Sequence, residues 1–337
     1  MKALYSLFLV FGLILIALLG AGAGGLHFLF GVVIPYLAVL MFVIGFCCRV
    51  LNWARTAVPF AIPTTCGQQK SLSWIKPAKI ENPSSRLGVA GRMALEILCF
   101  RSLFRNTKID YNSDGPTLRF SSSKWLWLGS LAFHYSFLTV VARHMRFFTE
   151  PVPFCIELLD RVDGILQIAA PVLYLTDLVF IGAVTYLFLR RVILPQIRFI
   201  SQVNDYFPLF LILAIGLSGV LMRYMLKVDI IGVKELTMGL ATFHPVVPEG
   251  IGVIFYIHLF LVSVLLAYFP LSKLMHMGGV FLSPTRNMVA STRRDRHINP
   301  WKFENVHYHT YPEYEDEFRE KMIEAGLPVD KEEVENV

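Results

Sequence analysis

Six stretches of this chain run for about 20 residues almost without charge, the length a helix needs to cross a bilayer core about 30 Å thick. They cover approximately Leu4–Gly20, Leu26–Cys48, Trp125–Phe148, Ile165–Leu189, Tyr206–Leu226 and Gly252–Met277. The runs are continuous rather than alternating, so the expected fold class is all-α, a polytopic membrane bundle of six transmembrane helices, and not a barrel. Composition agrees. Charged residues make up 17% of the chain, against about 25% in soluble domains, and the mean hydropathy is +0.55.

The first run follows Lys2 and ends near Ala21-Gly22-Ala23, a pattern shared with secretory signal peptides; it is read here as a retained signal-anchor helix. Orientation follows from the Lys and Arg bias. The 49–124 loop carries twelve Lys and Arg, among them Arg49, Arg55, Lys70, Arg101 and Arg105, against four acids. Arg190, Arg191 and Arg198 follow the fourth run, and Arg286, Arg293, Arg294 and Arg296 the sixth. With six spans all three groups fall on one side, which should be cytoplasmic, with both termini inside. The 149–164 link, with Glu150, Glu157, Asp160 and Asp163, falls outside. The net charge of +6 then belongs to span ends facing anionic lipid, and nucleic acid is not an expected partner.

Within the large loop, Ser84-Ser85 can cap a helix from Arg86 to Arg101 whose Leu87, Ala90, Ala94, Ile97 and Leu98 form one apolar stripe. It reads equally as an interfacial helix, a helix packed on the bundle or a partner-docking element. The tail from Ser283 turns from basic to acidic, and Thr310 to Ala325 suggests a short helix ended by Gly326 and Pro328. So polar a tail is expected either to lie on a soluble partner or to be disordered. Three units result: an anchor helix over 1–25, a membrane domain over 26–280, and a docking tail over 281–337. Cys47, Cys48, Cys66, Cys99 and Cys155 lack metal-type spacing and read as reduced thiols, Cys66 in Thr64-Thr65-Cys66-Gly67 as structural.

The chemical signal lies in four of the nine histidines. His134 and His144 are in the third run, and His258 and His276 are in the sixth. Ionisable groups inside spans are costly and usually functional. The two runs are antiparallel, so His134 pairs by depth with His276 and His144 with His258. Neutral imidazoles are good axial ligands of haem iron, and two bis-histidine haem b groups stacked across the membrane are expected. One mismatch needs an answer. His134 to His144 rises about 15 Å on a helix and His258 to His276 about 27 Å. Helix tilt, and a kink at Pro270, are expected to absorb it. His27, His244, His297, His307 and His309 read as surface or interfacial.

The spacing His134-x9-His144 followed by His258-x17-His276 resembles the gamma subunit of respiratory nitrate reductases, a five-helix dihaem cytochrome b that oxidises quinol, over residues 26–280. Spacing alone does not separate the related branches, and a nitrate reductase gamma-type or heterodisulfide reductase-type cytochrome b subunit is the alternative reading. Flanking segments are similar to subunit M of DsrMKJOP complexes, associated with dissimilatory sulfite reduction. They are Pro63-Thr-Thr-Cys-Gly-Gln-Gln-Lys-Ser-Leu72, Phe100-Arg-Ser-Leu-Phe-Arg-Asn-Thr107, Phe281-Leu-Ser-Pro-Thr-Arg-Asn287 and Tyr314-Glu-Asp-Glu-Phe-Arg-Glu-Lys-Met322. The extra first helix, the long loop and the long tail depart from the nitrate reductase pattern and weigh against nitrate as terminal acceptor.

The resemblance implies an electron-transfer subunit of an oxidoreductase complex in the cytoplasmic membrane, with two haem b and menaquinol as substrate. Its cytoplasmic partner would be an iron–sulfur subunit like the heterodisulfide reductase catalytic subunit. A multihaem cytochrome c, a ferredoxin-like subunit and a second membrane subunit would complete the complex. Menaquinol oxidation is expected near the outer haem, with Arg143, Arg146 and Asp163 as quinol-site candidates; the two arginines also suit haem propionates or lipid phosphate. Asp177, read as lying mid-depth in the fourth run without a charge partner, is either a proton-path residue or a protonated acid bonded to a neighbouring helix. A transporter would use Gly31/Pro35 and Gly216/Gly219 as helix breaks, and a structural anchor would use only the loop and tail; neither accounts for the four histidines.

Overall fold

The computed structural model describes residues 1–56, 67–112, 117–166, 171–290 and 308–330. Cys66, His297 and His307, and most of the Pro63–Leu72 motif's first half, lie outside these residues.

The described chain is a multi-pass helical bundle. Helix α1 (Lys2–Ala17) runs on through a π-helical turn, Leu18–Ala23, and α2 (Ile34–Ala54) is preceded by another, Leu29–Val33. After the loop come α3 (Arg86–Cys99), α4 (Arg101–Phe104) and an antiparallel hairpin, β1 (Thr107–Asn112) with β2 (Thr117–Ser122), Thr107 opposite Ser122. Helix α5 is Lys124–His144 and α6 is Phe154–Asp163; two short strands, β3 (Gly164–Leu166) and β4 (Leu173–Tyr174), then lead into α7 (Leu175–Ile193). The chain continues through α8 (Pro195–Ile200), α9 (Val203–Val220, then π-helical Leu221–Leu226), α10 (Ile230–Ala241) and α11 (Val253–Tyr268). It ends in α12 (His276–Gly279) and α13 (Tyr311–Glu324).

Five of these helical stretches are long and apolar enough to cross a membrane: Lys2–Ala23, Leu29–Ala54, Lys124–Phe147, Val203–Leu226 and Val253–Leu271. The expected fourth span is corrected. Helix α7 starts at Leu175, not Ile165, and its 19 residues include Asp177, Arg190 and Arg191 near the ends. Among the described residues before it, Gly164–Leu166 and Leu173–Tyr174 are strand, and Pro171 stands between them. Helix α7 still packs in the bundle, between α5 and α9.

Helix α9 is the hub, touching α1, α7 and α11, while α11 also packs on α2. One core cluster joins these helices through Val10, Phe30, Leu211, Leu236, Tyr256 and Leu261; a second, around Phe180, Val184 and Ile212, ties α5, α7 and α9. The Gly31 and Gly216 positions are close-packing points rather than helix breaks around a cavity. A Cβ on Gly31 would lie 3.2 Å from the Tyr256 ring, and one on Gly216 would lie 2.6 Å from Phe180. The 227–250 link contains α10, capped by Asp229, whose carboxylate accepts from Ile231 N and Gly232 N.

The sixth run does not continue as one helix. Pro270 ends it: Phe269–Leu271 is a tight turn, Ser272 is extended, and Lys273–Met275 makes a second turn before His276. Buried Pro270 sits against Gly45 of α2, where an added Cβ would meet the proline ring at 2.8 Å. The expected tilt and kink are therefore replaced by a break in the helix, because Pro270 has no N–H to continue the ladder and its ring clashes with the preceding turn.

Loop helix α3 starts at Ser85, whose Oγ accepts from Gly88 N. Its buried residues are Val89 and Arg92, and the stripe Leu87, Ala90, Ala94, Ile97 and Leu98 faces outward. Helix α13 matches the expected tail helix, with a Thr310–Glu313 capping box and Gly326 at positive φ beyond its end.

Gly45→Ala should cost about 1–3 kcal/mol through overpacking against a rigid ring. Gly12→Ala, with nothing near its Cβ, should be neutral or stabilising by up to ~1 kcal/mol. Thermal melts of the detergent-solubilised protein check the contrast; equal Tm values would contradict it.

Candidate functional site

The two histidine pairs meet. The ring centroids of His134 and His276 are 6.0 Å apart with planes at 84°, and those of His144 and His258 are 6.3 Å apart with planes at 11°. The depth mismatch disappears because the eight residues after Tyr268 leave the α-helix at Pro270, in two short turns about extended Ser272, instead of carrying its regular rise onward. Ten residues of α5 and eighteen residues of the α11 segment then span the same ~15 Å.

Each ring is fixed through Nδ1. His134 is bonded there to the Ser130 carbonyl at 2.7 Å, His144 to Val140 at 2.7 Å, and His276 to Lys273 at 2.9 Å. A carbonyl oxygen only accepts, so these three Nδ1 atoms carry the proton. His258 Nδ1 lies 2.9 Å from Ser218 Oγ, whose own proton goes to the Ile215 carbonyl, so this Nδ1 donates as well. All four lone pairs are thereby on Nε2, the arrangement that a metal-binding imidazole needs.

The separations suit a metal held between the rings. Two imidazole–metal bonds of about 2 Å, the length known at zinc, plus roughly 1 Å from nitrogen to ring centre on each side, put centroids about 6 Å apart. Among the described residues no cluster of three or more His, Cys, Asp or Glu would hold a bare ion. Facing pairs suit a planar macrocycle that brings its own equatorial ligands. Helices α5 and α11 pack on α7 and α9, not closely on each other, so the facing rings look across a gap between them. The residues present fit haem.

The two ends of the bundle differ. His134 is walled by aromatic edges, Phe133 and Phe100 each 4.9 Å away. Phe100 adopts φ 49°, which ends α3 and turns the chain directly into α4. Near it, Glu81 binds both Arg101 and Arg105, Trp127 Nε1 donates to the Cys99 carbonyl at 2.7 Å, and Tyr135 donates to that of Leu98 at 2.9 Å. The 283–290 segment joins this platform: Arg286 lies 4.0 Å from Glu96, and Ala290 N donates to the Pro83 carbonyl.

The other end is charged. Arg143, just before His144, lies 3.3 Å from Asp163 and 2.5 Å from Asp177, and its guanidinium stacks 3.7 Å from the Tyr174 ring centre. Asp163 also accepts from Thr176 N and Oγ1; Arg146 pairs with Asp160 at 3.2 Å, and Asp160 accepts from Tyr174 OH at 2.6 Å. So Arg143, Arg146 and Asp163 do come together beside His144. Arg143 and Asp163 are buried in a mutual ion pair, while Arg146 is only partly covered. Asp177 is corrected: it sits in the first turn of α7, not at mid-depth, and it has partners in Arg143 and in Tyr224 OH at 3.0 Å. The error followed from starting the span ten residues early.

Arg223, Tyr174 and Tyr224 were missed from sequence, although an arginine within the Leu221–Leu226 end of an apolar run was a visible cue. His27 stacks on Tyr256 at 4.9 Å, His244 Nδ1 faces the Thr242 carbonyl, and His309 lies 3.7 Å from Glu317.

Comparison with known proteins identifies the family. Residues 88–292 match the family of nitrate reductase gamma subunits. A protein of Archaeoglobus fulgidus described as an Hdr-like menaquinol oxidoreductase cytochrome b-like subunit is 48% identical over 280 residues, 81% of this chain and 83% of that protein. A protein of Archaeoglobus profundus with the same description is 42% identical over 275 residues, 80% of this chain and 81% of its own.

Asp163→Ala removes a buried partner of Arg143 and the acceptor of two Thr176 bonds. It should destabilise the protein by about 3–5 kcal/mol. A thermal or denaturant melt in detergent reads it, with Arg146→Ala as a milder, partly exposed comparison.

Proposed function

Because this chain belongs to the nitrate reductase gamma-subunit family, we propose that it is the dihaem b membrane subunit of a menaquinol-oxidising respiratory complex. The reading is carried by one observation: two facing histidine pairs, each about 6 Å between centroids, with every Nδ1 tied down and every Nε2 free to ligate. Bound between His134 and His276 and between His144 and His258, haem b supplies one-electron relays across the membrane. The chain's own part is to hold the imidazoles in one tautomer and to keep water from the His134 side with Phe100 and Phe133.

The Lys and Arg bias supports a cytoplasmic placement of the α3 and α4 platform, with both termini on that side. Menaquinol is then oxidised at the opposite, charged end, where partly exposed Arg146 and Asp160 offer a cation and a carboxylate near His144. The relatives' description supports both menaquinol and a heterodisulfide reductase-like partner. That partner, an iron–sulfur subunit, docks on the platform under His134 and His276 and on the 281–337 tail. The outward stripe of α3 lies along the same edge.

The segments resembling subunit M of DsrMKJOP complexes support the finer assignment to dissimilatory sulfite reduction. A multihaem cytochrome c, a ferredoxin-like subunit and a second membrane subunit are the remaining partners in that reading. Of these segments, Phe100–Thr107 begins at the residue that touches the His134 ring.

Reduced-minus-oxidised spectra of the purified protein should show two b-type haems. Ring planes at 84° and 11° should give two distinguishable low-spin ferric signals in electron paramagnetic resonance. His258→Ala should remove one haem, keep the other, and abolish haem reduction by a menaquinol analogue. Retention of both haems in that variant would sink the assignment.

A further inference from the structure

We propose that Arg223, with Arg143, binds a propionate carboxylate of the haem held by His144 and His258; the inference rests on the dihaem reading above. The observation behind it is a pair of buried donors without acceptors. The Nε–H groups of Arg143 and Arg223 are both enclosed and make no hydrogen bond. Buried guanidinium donors are normally satisfied, and a fork of this kind suits a carboxylate.

Both guanidiniums lie over one ring, Arg143 at 3.7 Å and Arg223 at 4.2 Å from the centre of Tyr174. They reach it from the two sides of the histidine pair. Arg143 immediately precedes His144. Arg223 lies one turn beyond Ser218 and Gly219, the residues of α9 that face His258: Ser218 Oγ bonds its Nδ1, and a Cβ on Gly219 would lie 3.6 Å from the ring. The helix widens to a π-helical turn over Leu221–Leu226, ending at Lys227 in a left-handed conformation, a type of bulge that recurs at functional sites.

Among the described residues, charge pairing leaves Arg223 without an anion. Arg143 takes Asp163 and Asp177, Arg146 takes Asp160, and Arg223 has no acidic partner among the described residues. Its Nη2 donates to the Val172 carbonyl, at 3.2 Å. A haem between His144 and His258 brings two carboxylates that have to be matched at this end.

The ligand chemistry is an oxyanion, and a phospholipid headgroup could in principle supply one, so the test separates the two. Holoprotein carrying Arg223→Leu or Arg223→Lys is titrated by spectroelectrochemistry in phospholipid-free detergent and again in vesicles of phosphatidylglycerol. Removing the cation leaves a bare carboxylate near the iron, which disfavours the reduced state. The leucine variant should shift the reduction equilibrium of the His144–His258 haem about tenfold toward the oxidised form, ~59 mV for one electron. The shift should appear in both media, leave the other haem unmoved, and be largely rescued by lysine. An unmoved potential, or a shift seen only with phospholipid, overturns the proposal. Wild-type protein without two haems would instead overturn the dihaem reading. If the leucine variant fails to assemble, redox-difference infrared spectra of the lysine variant decide: altered propionate carboxylate bands support the assignment and unchanged bands refute it.

Discussion

A histidine ring set in or at the end of an apolar helix has to place both nitrogens, and the architecture of this bundle follows from how it places one of them. His134, His144 and His276 spend Nδ1–H on carbonyls three or four residues earlier in their own chain segment, and His258 spends it on Ser218. A satisfied N–H in a low-dielectric setting is hard to give up, so each ring is held in one rotamer and one tautomer. The second nitrogens then face each other across the gap between α5 and α11. Everything else at the bundle's centre, including the way α7 and α9 separate those two helices, keeps that gap open.

Pro270 solves the remaining problem of registry. A continuous helix would carry His276 about 12 Å past His134 along the axis. The break at Pro270, wedged on Gly45 and followed by the Ser272 cap on Leu274, lets the chain fall back to the right level. Lys273 is held by Asp205 at 2.7 Å, which ties this turn to the start of α9. A proline that would damage a helix whose length mattered is here the residue that sets the depth of a ligand.

These points separate what a sequence displays from what it conceals. Apolar run length and the four histidines are local signals, and the bundle and both pairings were legible from them. The tail helix was legible too, since Thr310, Glu313 and Gly326 are local capping signals. The start of α7 was not: Ile165–Leu173 is as apolar as a span, and what sets the described ends of that stretch apart is the backbone pairing of Gly164 with Tyr174 and of Leu166 with Leu173. That one shift misplaced Asp177 in depth and hid its partners. The β1–β2 hairpin and the break at Pro270 depend on tertiary contacts that no periodicity encodes.

The same ligand chemistry is set in two unlike surroundings. His134 and His276 meet nearly at right angles beside Phe100 and Phe133, under a platform built from the loop and the 283–290 segment. His144 and His258 lie nearly parallel beside three aspartates and three arginines. Fixed charges act on a redox centre over longer range in apolar surroundings than in water, and hydrogen bonding and burial around the ligands tune its potential. Two sites with identical ligands therefore need not share a potential. The difference lies in what stands against the rings: Arg143 with Asp163 and Asp177 beside His144 at one end, and the aromatic edges of Phe100 and Phe133, with the Glu81–Arg101–Arg105 cluster beyond them, at the other.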